Sequence, residues 1–298
     1  MEYLRTFARE FEVGERAELS IENRSGTVAV RGIETQRVRI EVVARLWAES
    51  DEDADDQLEL IQRGIRQEGA RVIVRAPAIV RPGLLLFFGH GPRIDYQLTA
   101  PRASAGRIVN RSGRINVDDL KGPLEVEARS GRVTLSRIGA DTTIVSRSGI
   151  VQAEGIAGSL AIDSRSGRVT ARSCERDVTV NSRSGTVQIE GVGGTLKVEN
   201  RSGTIAVRDV GGAVTIACRS GAVRYDGAVR GDFDINVTSG MVRLAVDADS
   251  SFFLDAESLS GGVHSDLPLR RPAGAAPSGP RPTVRVRTIS GVIRVGPR

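Results

Sequence analysis

Residues 183–200 read RSGTVQIEGVGGTLKVEN, and the Arg-Ser-Gly that opens this stretch returns at a fixed interval. The tripeptide begins at every eighteenth residue of one long stretch, at Arg111, Arg129, Arg147, Arg165, Arg183, Arg201 and Arg219. An outlying copy begins at Arg24, and Ser-Gly recurs with looser spacing at Ser239, Ser260 and Ser290. Self-similarity at a fixed period is typical of repeat architectures, so the chain is predicted to consist of stacked eighteen-residue units.

Each unit carries a recurring set of apolar residues. Counted from the Arg as position 1, they occupy positions 5, 7, 10, 14 and 16, which in one unit are Ile205, Val207, Val210, Val214 and Ile216. β-Branched residues spaced two apart are typical of short strands with one buried face, and helical spacing does not occur in these units. Glycine at position 3, and often at position 11 or 12, is expected at the corners between two such strands.

A single unit has nothing to cover its apolar face, so neighbouring units must stack to bury it. Position 8 favours one unit per coil, because at a strand spacing of about 4.8 Å its acids and bases would then alternate along the stack. The residues at this position are Asp118, Ser136, Glu154, Arg172, Glu190, Arg208 and Asp226. We therefore predict an all-β fold, a single-stranded parallel β-helix (β-solenoid) with eighteen residues per coil. Crossovers between parallel strands are right-handed by strong preference, so we expect a right-handed coil.

The first hundred residues depart from the regular array. Residues 1–100 are expected to form an N-terminal cap with one coil at Arg24 and a short helix near residues 50–66. Ser50 is a suitable N-cap for that helix, and the acidic residues 51–53 suit the positive end of its dipole. The regular β-solenoid is predicted over residues 101–298, with an inserted loop at 266–282, and the whole is expected to fold as one cooperative unit.

Two segments bear on the ends of the stack, and each has two interpretations. The apolar run at 84–88, LLLFF, is either a sticky loop for membrane contact or self-association, or a plug over the end of the core. The last coil is expected at 284–295, where an open strand edge would support end-to-end association. The alternative is that this edge is blunted by Arg285, Arg287, Arg294 and Pro297.

Composition narrows the class of protein. Apolar residues make up 40% and aromatic residues 4%, which suits narrow coils lined by Val, Ile and Leu and does not suit a disordered chain. The net charge is +5, and almost all of the positive charge is on arginine, since Lys121 and Lys197 are the only lysines. Arginine binds carboxylate and phosphate in bidentate fashion, although a GC-rich genome would produce the same preference.

Cysteines and terminal segments point to the compartment. Two cysteines exclude a disulfide framework; Cys174 is expected in the core and Cys218 is expected to be partly exposed. No apolar signal segment follows Met1, and the longest apolar run is too short to be a transmembrane segment. These features predict a soluble, cytoplasmic protein.

The tandem Ser-Gly-x-Val-x-Val units resemble the bacterial "putative adhesin" β-solenoid family, whose biochemical function is undefined. The resemblance includes the stretch IDYQLTAP at 94–101 and the Ser-Gly-Gly-Val coil at 260–263. It implies a β-solenoid fold and an extracytoplasmic or membrane-associated module, in some cases linked to envelope stress. It supplies no catalytic residues.

The arginines at position 1 are the candidate site. Stacked about 4.8 Å apart, neighbouring guanidinium groups would repel by about 1 kcal/mol even in water. One interpretation is a linear anion-binding site for a nucleic acid, an anionic glycan or lipid headgroups, formed by Arg111, Arg129, Arg147, Arg165, Arg183, Arg201 and Arg219. The alternative is neutralisation by the position-17 carboxylates Glu127, Asp163 and Glu199. Aromatic residues do not interleave with these arginines, and no specific nucleic-acid motif is present.

No pattern indicates catalysis, a cofactor or a metal site. Serine recurs at position 2 of every intact unit, which suits a hydrogen-bonded corner better than a nucleophile, and His90 and His264 lack metal-ligand spacing. The array from Arg111 to Asp226 has no insertion that would wall a catalytic cleft.

These observations predict a non-enzymatic, adhesin-like scaffold or binding module. Its repetitive Arg and Ser faces would meet an unknown protein, an anionic polymer or an envelope component. The second hypothesis is a self-assembling, bactofilin-like filament protein, and the third is a solenoid enzyme acting on an acidic polysaccharide.

Overall fold

The structure is a computed structural model that describes residues 1–77, 92–267 and 281–298. The chain divides into two compact units, Met1–Val145 and Ser146–Arg298, and each is described by itself. The apolar run at 84–88 and most of the loop at 266–282 lie outside the described residues. The predicted boundary near residue 100 and the single cooperative unit stay predictions.

The first unit combines parallel and antiparallel strands with one helix in its described residues. Its elements are β1 (Glu2–Glu12), β2 (Glu18–Ile33), β3 (Arg37–Trp47), α1 (Asp51–Arg63), β4 (Ile65–Glu68), β5 (Arg71–Arg75), β6 (Arg93–Pro101), β7 (Ala105–Asp118) and β8 (Leu124–Ile138). On one edge β2 pairs in parallel with β5 and β6, and on the other edge it pairs in parallel with β7. The antiparallel pairs β1–β3, β3–β6 and β4–β5 were not predicted.

The outlying copy at Arg24 belongs to the regular stack. Ser25 lies opposite Ser112 and Gly26 opposite Gly113, so this coil pairs directly with the coil of Arg111. The segment from β3 to β6 is therefore an insertion between two consecutive coils.

The helix near residues 50–66 is confirmed as α1, which ends at Arg63 because the chain turns at Gly64 into β4. The Ser50 hydroxyl accepts a hydrogen bond from the Asp53 amide at 3.2 Å, as expected of an N-cap. Arg5 on β1 binds Asp51 at 2.6 Å and Asp55 at 2.8 Å, and these ion pairs hold the helix against the sheet.

The second unit consists of parallel coils. Its strands are β9 (Thr142–Ile156, which begins in the first unit), β10 (Leu160–Cys174), β11 (Val178–Val192), β12 (Leu196–Val210), β13 (Val214–Gly227), β14 (Phe233–Val246), β15 (Phe253–Ser265) and β16 (Thr283–Pro297). From β10 to β13 each residue lies opposite the same repeat position of the next unit, as in the pairs Ser166–Ser184 and Ser184–Ser202. The predicted parallel β-solenoid, with one eighteen-residue unit per coil, is confirmed. Its handedness stays a prediction.

Each coil is built from one long bent strand, whereas two short strands were expected. β11 runs without a break through Arg183-Ser184-Gly185, and it bends at Gly185 (φ +122°) and again at Gly191 (φ +70°). The second bend, at position 9, was missed because other coils place Ser173 or Asp209 there, with φ of +51°. Positions 11–13 lie in the turn that leads to the next coil.

The apolar columns form the core. The residues at positions 5, 7, 10, 14 and 16 of one unit, Ile205, Val207, Val210, Val214 and Ile216, are all buried. Outside the core, the acid–base ladder at position 8 is present: Glu190 lies 3.5 Å from Arg172 and 3.7 Å from Arg208. These side chains are about half exposed, so each pair contributes at most about 1 kcal/mol and serves mainly to balance charge.

The order of the last coils differs from the order of the sequence. β16 pairs with β14 through Ser239–Ser290 and with β15 through Ser260–Ser290, so it lies between them. The coil at 284–295 is therefore an inner coil, and the expectation that it ends the stack, blunted by its arginines, is wrong. The outermost described strand is β15, whose inward residues Ala256 and Val263 are only partly buried.

A glycine-to-alanine pair within one coil tests the stacking. A Cβ on Gly185 would lie 1.9 Å from the Gly167 carbonyl oxygen, whereas a Cβ on Gly191 would meet the Ser173 amide nitrogen at 3.6 Å, an ordinary contact. We expect Gly185→Ala to lower the free energy of unfolding by about 3 kcal/mol or more, and Gly191→Ala by only about 1 kcal/mol. Urea unfolding measures both, and equal losses would contradict the close approach of neighbouring coils.

Engineered cysteine pairs test the order of the last coils. We expect Ser260→Cys with Ser290→Cys to form a disulfide on mild oxidation, since these residues lie opposite each other on neighbouring strands. The control pair, Ser239→Cys with Ser260→Cys, spans two coils and is expected to stay reduced, because about 9.6 Å separates such positions. Mass spectrometry distinguishes the two states, and a disulfide in the control pair alone would show that β15 follows β14 in space.

Candidate anion-binding groove

An open groove of about 1100 Å³ runs across successive coils of the second unit. Its two walls come from positions 1 and 17, which lie two residues apart on the outward face of each strand. The first wall begins with four arginines, which we name the arginine file: Arg165, Arg183, Arg201 and Arg219. It continues in stacking order with Thr238, Ile289 and Leu259.

On β9 and β10, the backbone of the position-1 arginine is held by the serine of the next coil. The Ser184 hydroxyl donates to the Arg165 carbonyl oxygen at 3.4 Å, and the Ser166 hydroxyl donates in the same way to Arg147. These bonds form the corner ladder expected of the position-2 serines. Arginine therefore occupies the outward side of the bend, where its guanidinium group is exposed to solvent.

The charges of the arginine file have no ion-pair partner among the residues that the structure describes. In the described residues, none of its four guanidinium groups makes an ion pair or a side-chain hydrogen bond. By contrast, Arg172 and Arg208, on the position-8 side of the same coils, are each paired with a carboxylate. The position-8 arginines of these coils are therefore neutralised by carboxylates, whereas the arginines of the groove are not.

The opposite side of the groove carries hydrogen-bonding groups, which we name the polar wall: Asp163, Asn181, Glu199 and Asn236. Glu199 pairs with Lys197 at 2.9 Å, and Asp163 has no ion pair in the described part of the chain. The alternative of neutralisation therefore finds no support for these two carboxylates. Sequence reasoning had considered them only as counter-charges and had missed Asn181 and Asn236, although both stand two residues before a position-1 residue.

The floor of the groove is formed by position 18, whose side chains point into the coil. Ser164, Asn200, Cys218 and Thr288 are each at most 5% exposed. Cys218, expected to be partly exposed, is therefore buried, and burial raises the pKa of its thiol. Since the floor side chains are buried, a ligand in the groove would meet the walls and the backbone.

The seven predicted arginines are divided between the two units. Arg147 is exposed on β9, one coil before the arginine file, and belongs to the second unit. Arg111 and Arg129 belong to the first unit, where they lie on the adjacent strands β7 and β8. The groove thus brings together four of the seven predicted site residues.

On the side of the arginine file, the far end of the groove is apolar, which the sequence analysis did not predict. Ile289 is 55% exposed and Leu259 is 81% exposed, at the place that arginine holds in the regular coils. The arginine file therefore ends at Arg219, while Arg287 lines the far end of the opposite side.

The described residues contain no metal site or reactive thiol outside the groove. No cluster of three or more His, Cys, Asp or Glu side chains there is arranged to hold a metal ion. Cys174 is buried as expected, which raises the pKa of its thiol to about 11. In the same part of the chain, no helix combines the length and the apolar character that crossing a membrane requires.

Comparison with known proteins places the chain in a family. No curated protein matches it. A "putative cell adhesion protein" from Clostridium sporogenes ATCC 15579 is 10% identical, over 99% of this chain and 100% of that one, with a TM-score of 0.29. A "putative lipid binding protein" from Parabacteroides distasonis ATCC 8503 is 11% identical, over 97% and 96%, with a TM-score of 0.32. Neither likeness is close enough to carry a function to this chain. The pattern of the Toastrack DUF4097 family, by contrast, matches residues 17–295, and the chain therefore belongs to that family.

Proposed function

We propose that this protein is a non-enzymatic binding module that holds a linear anionic polymer along the arginine file. The proposal is carried by one observation: four exposed guanidinium groups stand on consecutive coils without an ion pair in the described residues. Neighbouring groups repel by about 1 kcal/mol at the dielectric of water. A polyanion would remove this repulsion by placing one anionic group near each arginine.

The coil itself does not require arginine at position 1, which supports a role in binding. Thr238, Ile289 and Leu259 occupy the same place in the last three coils of the second unit, and the strands there keep their register. Arginine is the side chain best suited to bidentate contacts with carboxylate, sulfate or phosphate groups.

Removal of the arginines tests the proposal. We expect Arg165→Ser/Arg183→Ser/Arg201→Ser to weaken binding of heparin and of polyphosphate by about tenfold or more at low salt. The plot of log K against log salt should become flatter by about two to three units, since each anionic contact contributes about 0.7–0.9. Fluorescence anisotropy with end-labelled polymers at several salt concentrations measures both quantities.

The matched control removes three arginines elsewhere on the same unit. Arg168→Ser/Arg224→Ser/Arg243→Ser lowers the net charge by the same amount, and these exposed residues lie outside the groove. We expect this variant to bind nearly as tightly as the wild type. Equal losses in the two variants would mean that only net charge matters, and the arginine file would then not be the site.

End-to-end association is a second candidate function, favoured by β15. Among the described strands, only β16 pairs with β15, and the inward residues Ala256 and Val263 are only partly buried where a further coil would cover them. An uncovered coil of this kind favours stacking of a second molecule.

Charge placed on the inward side of β15 tests this association. If the end stacks, the wild type should form elongated particles as its concentration rises, and Ala256→Arg/Val263→Arg should remain discrete, because a partner coil would bury the new charges. His264→Arg, which changes an exposed residue of the same strand, is the control and should assemble like the wild type. Negative-stain microscopy gives the readout, and discrete wild-type particles at high concentration would rule out polymerisation.

A further inference from the structure

The two walls of the groove differ in chemistry, and the difference restricts the ligand. The arginine file offers only hydrogen-bond donors and positive charge. The polar wall, two residues earlier on the same strands, offers carboxylate oxygens and amide groups. On the three consecutive coils of Arg165, Arg183 and Arg201, a linear ligand lying across the coils would meet both kinds of group at each step of about 4.8 Å.

Much of the hydrogen-bonding capacity of the polar wall is unused. In the described residues, the side chains of Asp163 and Asn181 make no hydrogen bond and no ion pair, and both are exposed. On Asn236 the amide nitrogen donates to Asp234 at 2.8 Å. A carboxylate only accepts hydrogen bonds, so a ligand that contacts Asp163 favourably must donate to it.

A ligand with anionic groups alone would satisfy the arginine file but not the polar wall. Its charges would be attracted to the arginine file but repelled by Asp163 across the groove. A nucleic acid is also a poor match, because the groove lining contains no Phe, Tyr or Trp on which bases could stack.

A ligand that alternates anionic groups with hydroxyl groups satisfies both walls. Acidic glycans carry both within each sugar: the carboxylate or sulfate would bind arginine, and the hydroxyl groups would donate to Asp163 and exchange hydrogen bonds with the Asn181 amide. The open, extended form of the groove suits a chain that passes through it.

We infer, on the basis of the proposed function, that the ligand is an acidic polysaccharide. The arginine file binds its anionic groups, and the polar wall binds its hydroxyl groups. Three coil spacings separate Arg165 from Arg219, so the recognised segment is about 14 Å long. It ends where the wall becomes Thr238 and Ile289.

A neutral substitution on the polar wall tests this inference. We compare an oligogalacturonide, which has carboxylates and hydroxyl groups, with polyphosphate, whose chain has no sugar hydroxyl groups, at one ionic strength. Asn181→Ala is expected to weaken oligogalacturonide binding by about fivefold, in line with the loss of one or two hydrogen bonds, and to change polyphosphate binding by less than twofold. Gln188→Ala removes an exposed amide from the other side of the same coil and should change neither.

A charge-removing substitution gives effects of opposite sign. Asp163→Ala is expected to tighten polyphosphate binding, since a repulsive charge is lost, and to weaken oligogalacturonide binding, since a hydrogen-bond acceptor is lost. If this variant tightens both polymers, the polar wall acts only by repulsion, and the inference is overturned.

The outcomes separate the inference from the proposal on which it rests. Both polymers could bind through the arginine file while Asn181→Ala and Asp163→Ala change the affinity for each polymer by the same factor. That result would overturn the glycan assignment alone. Failure of the wild type to bind either polymer would overturn the proposed function and the inference together. Shortening of the oligogalacturonide during incubation would contradict a non-enzymatic role.

Discussion

The close approach of backbone at position 3 governs this fold. A Cβ on Gly203 would lie 1.9 Å from the carbonyl oxygen of Gly185 in the neighbouring coil, so the chain can bend there only if every coil places glycine at the same point. The bend also requires a positive φ, +127° at Gly203, which side-chain-bearing residues rarely adopt. The position-3 glycines thereby hold successive coils in register, and every other column follows from that register.

Register turns a one-dimensional repeat into a set of columns with different electrostatic properties. At position 8 the residues alternate in sign, so Glu190 is shared between Arg172 and Arg208. At position 1 the same stacking places like charges side by side in the arginine file. A repeat protein can therefore balance its charge on one side and concentrate it on another with no change in the backbone. The polar wall adds hydrogen-bonding groups beside that charge, so the groove combines two kinds of recognition on the three coils of Arg165, Arg183 and Arg201.

Prediction from the sequence succeeded where the repeat is strict and was incomplete or wrong elsewhere. The apolar columns, the eighteen-residue coil and the helix capped by Ser50 follow from local patterns. The bend at position 9 was missed because Ser173 and Asp209 occupy it in two of the coils with a positive φ. A glycine there in every coil would have indicated a bend. Two features were missed: the antiparallel strands before the array, and the position of β16 between β14 and β15. In both places, strands that follow one another in the sequence are not neighbours in the sheet.

By itself, the sequence determined that the chain stacks in coils of one repeat unit each and that arginine recurs at one point of each coil, since both follow from spacing along the chain. Only the tertiary structure decided which arginines share a groove, that Glu199 beside them pairs with Lys197 while Asp163 lines the groove, and that β15 is the outermost of the described strands. Those outcomes depend on side-chain direction and on the spatial order of non-consecutive strands, which the repeat period does not specify.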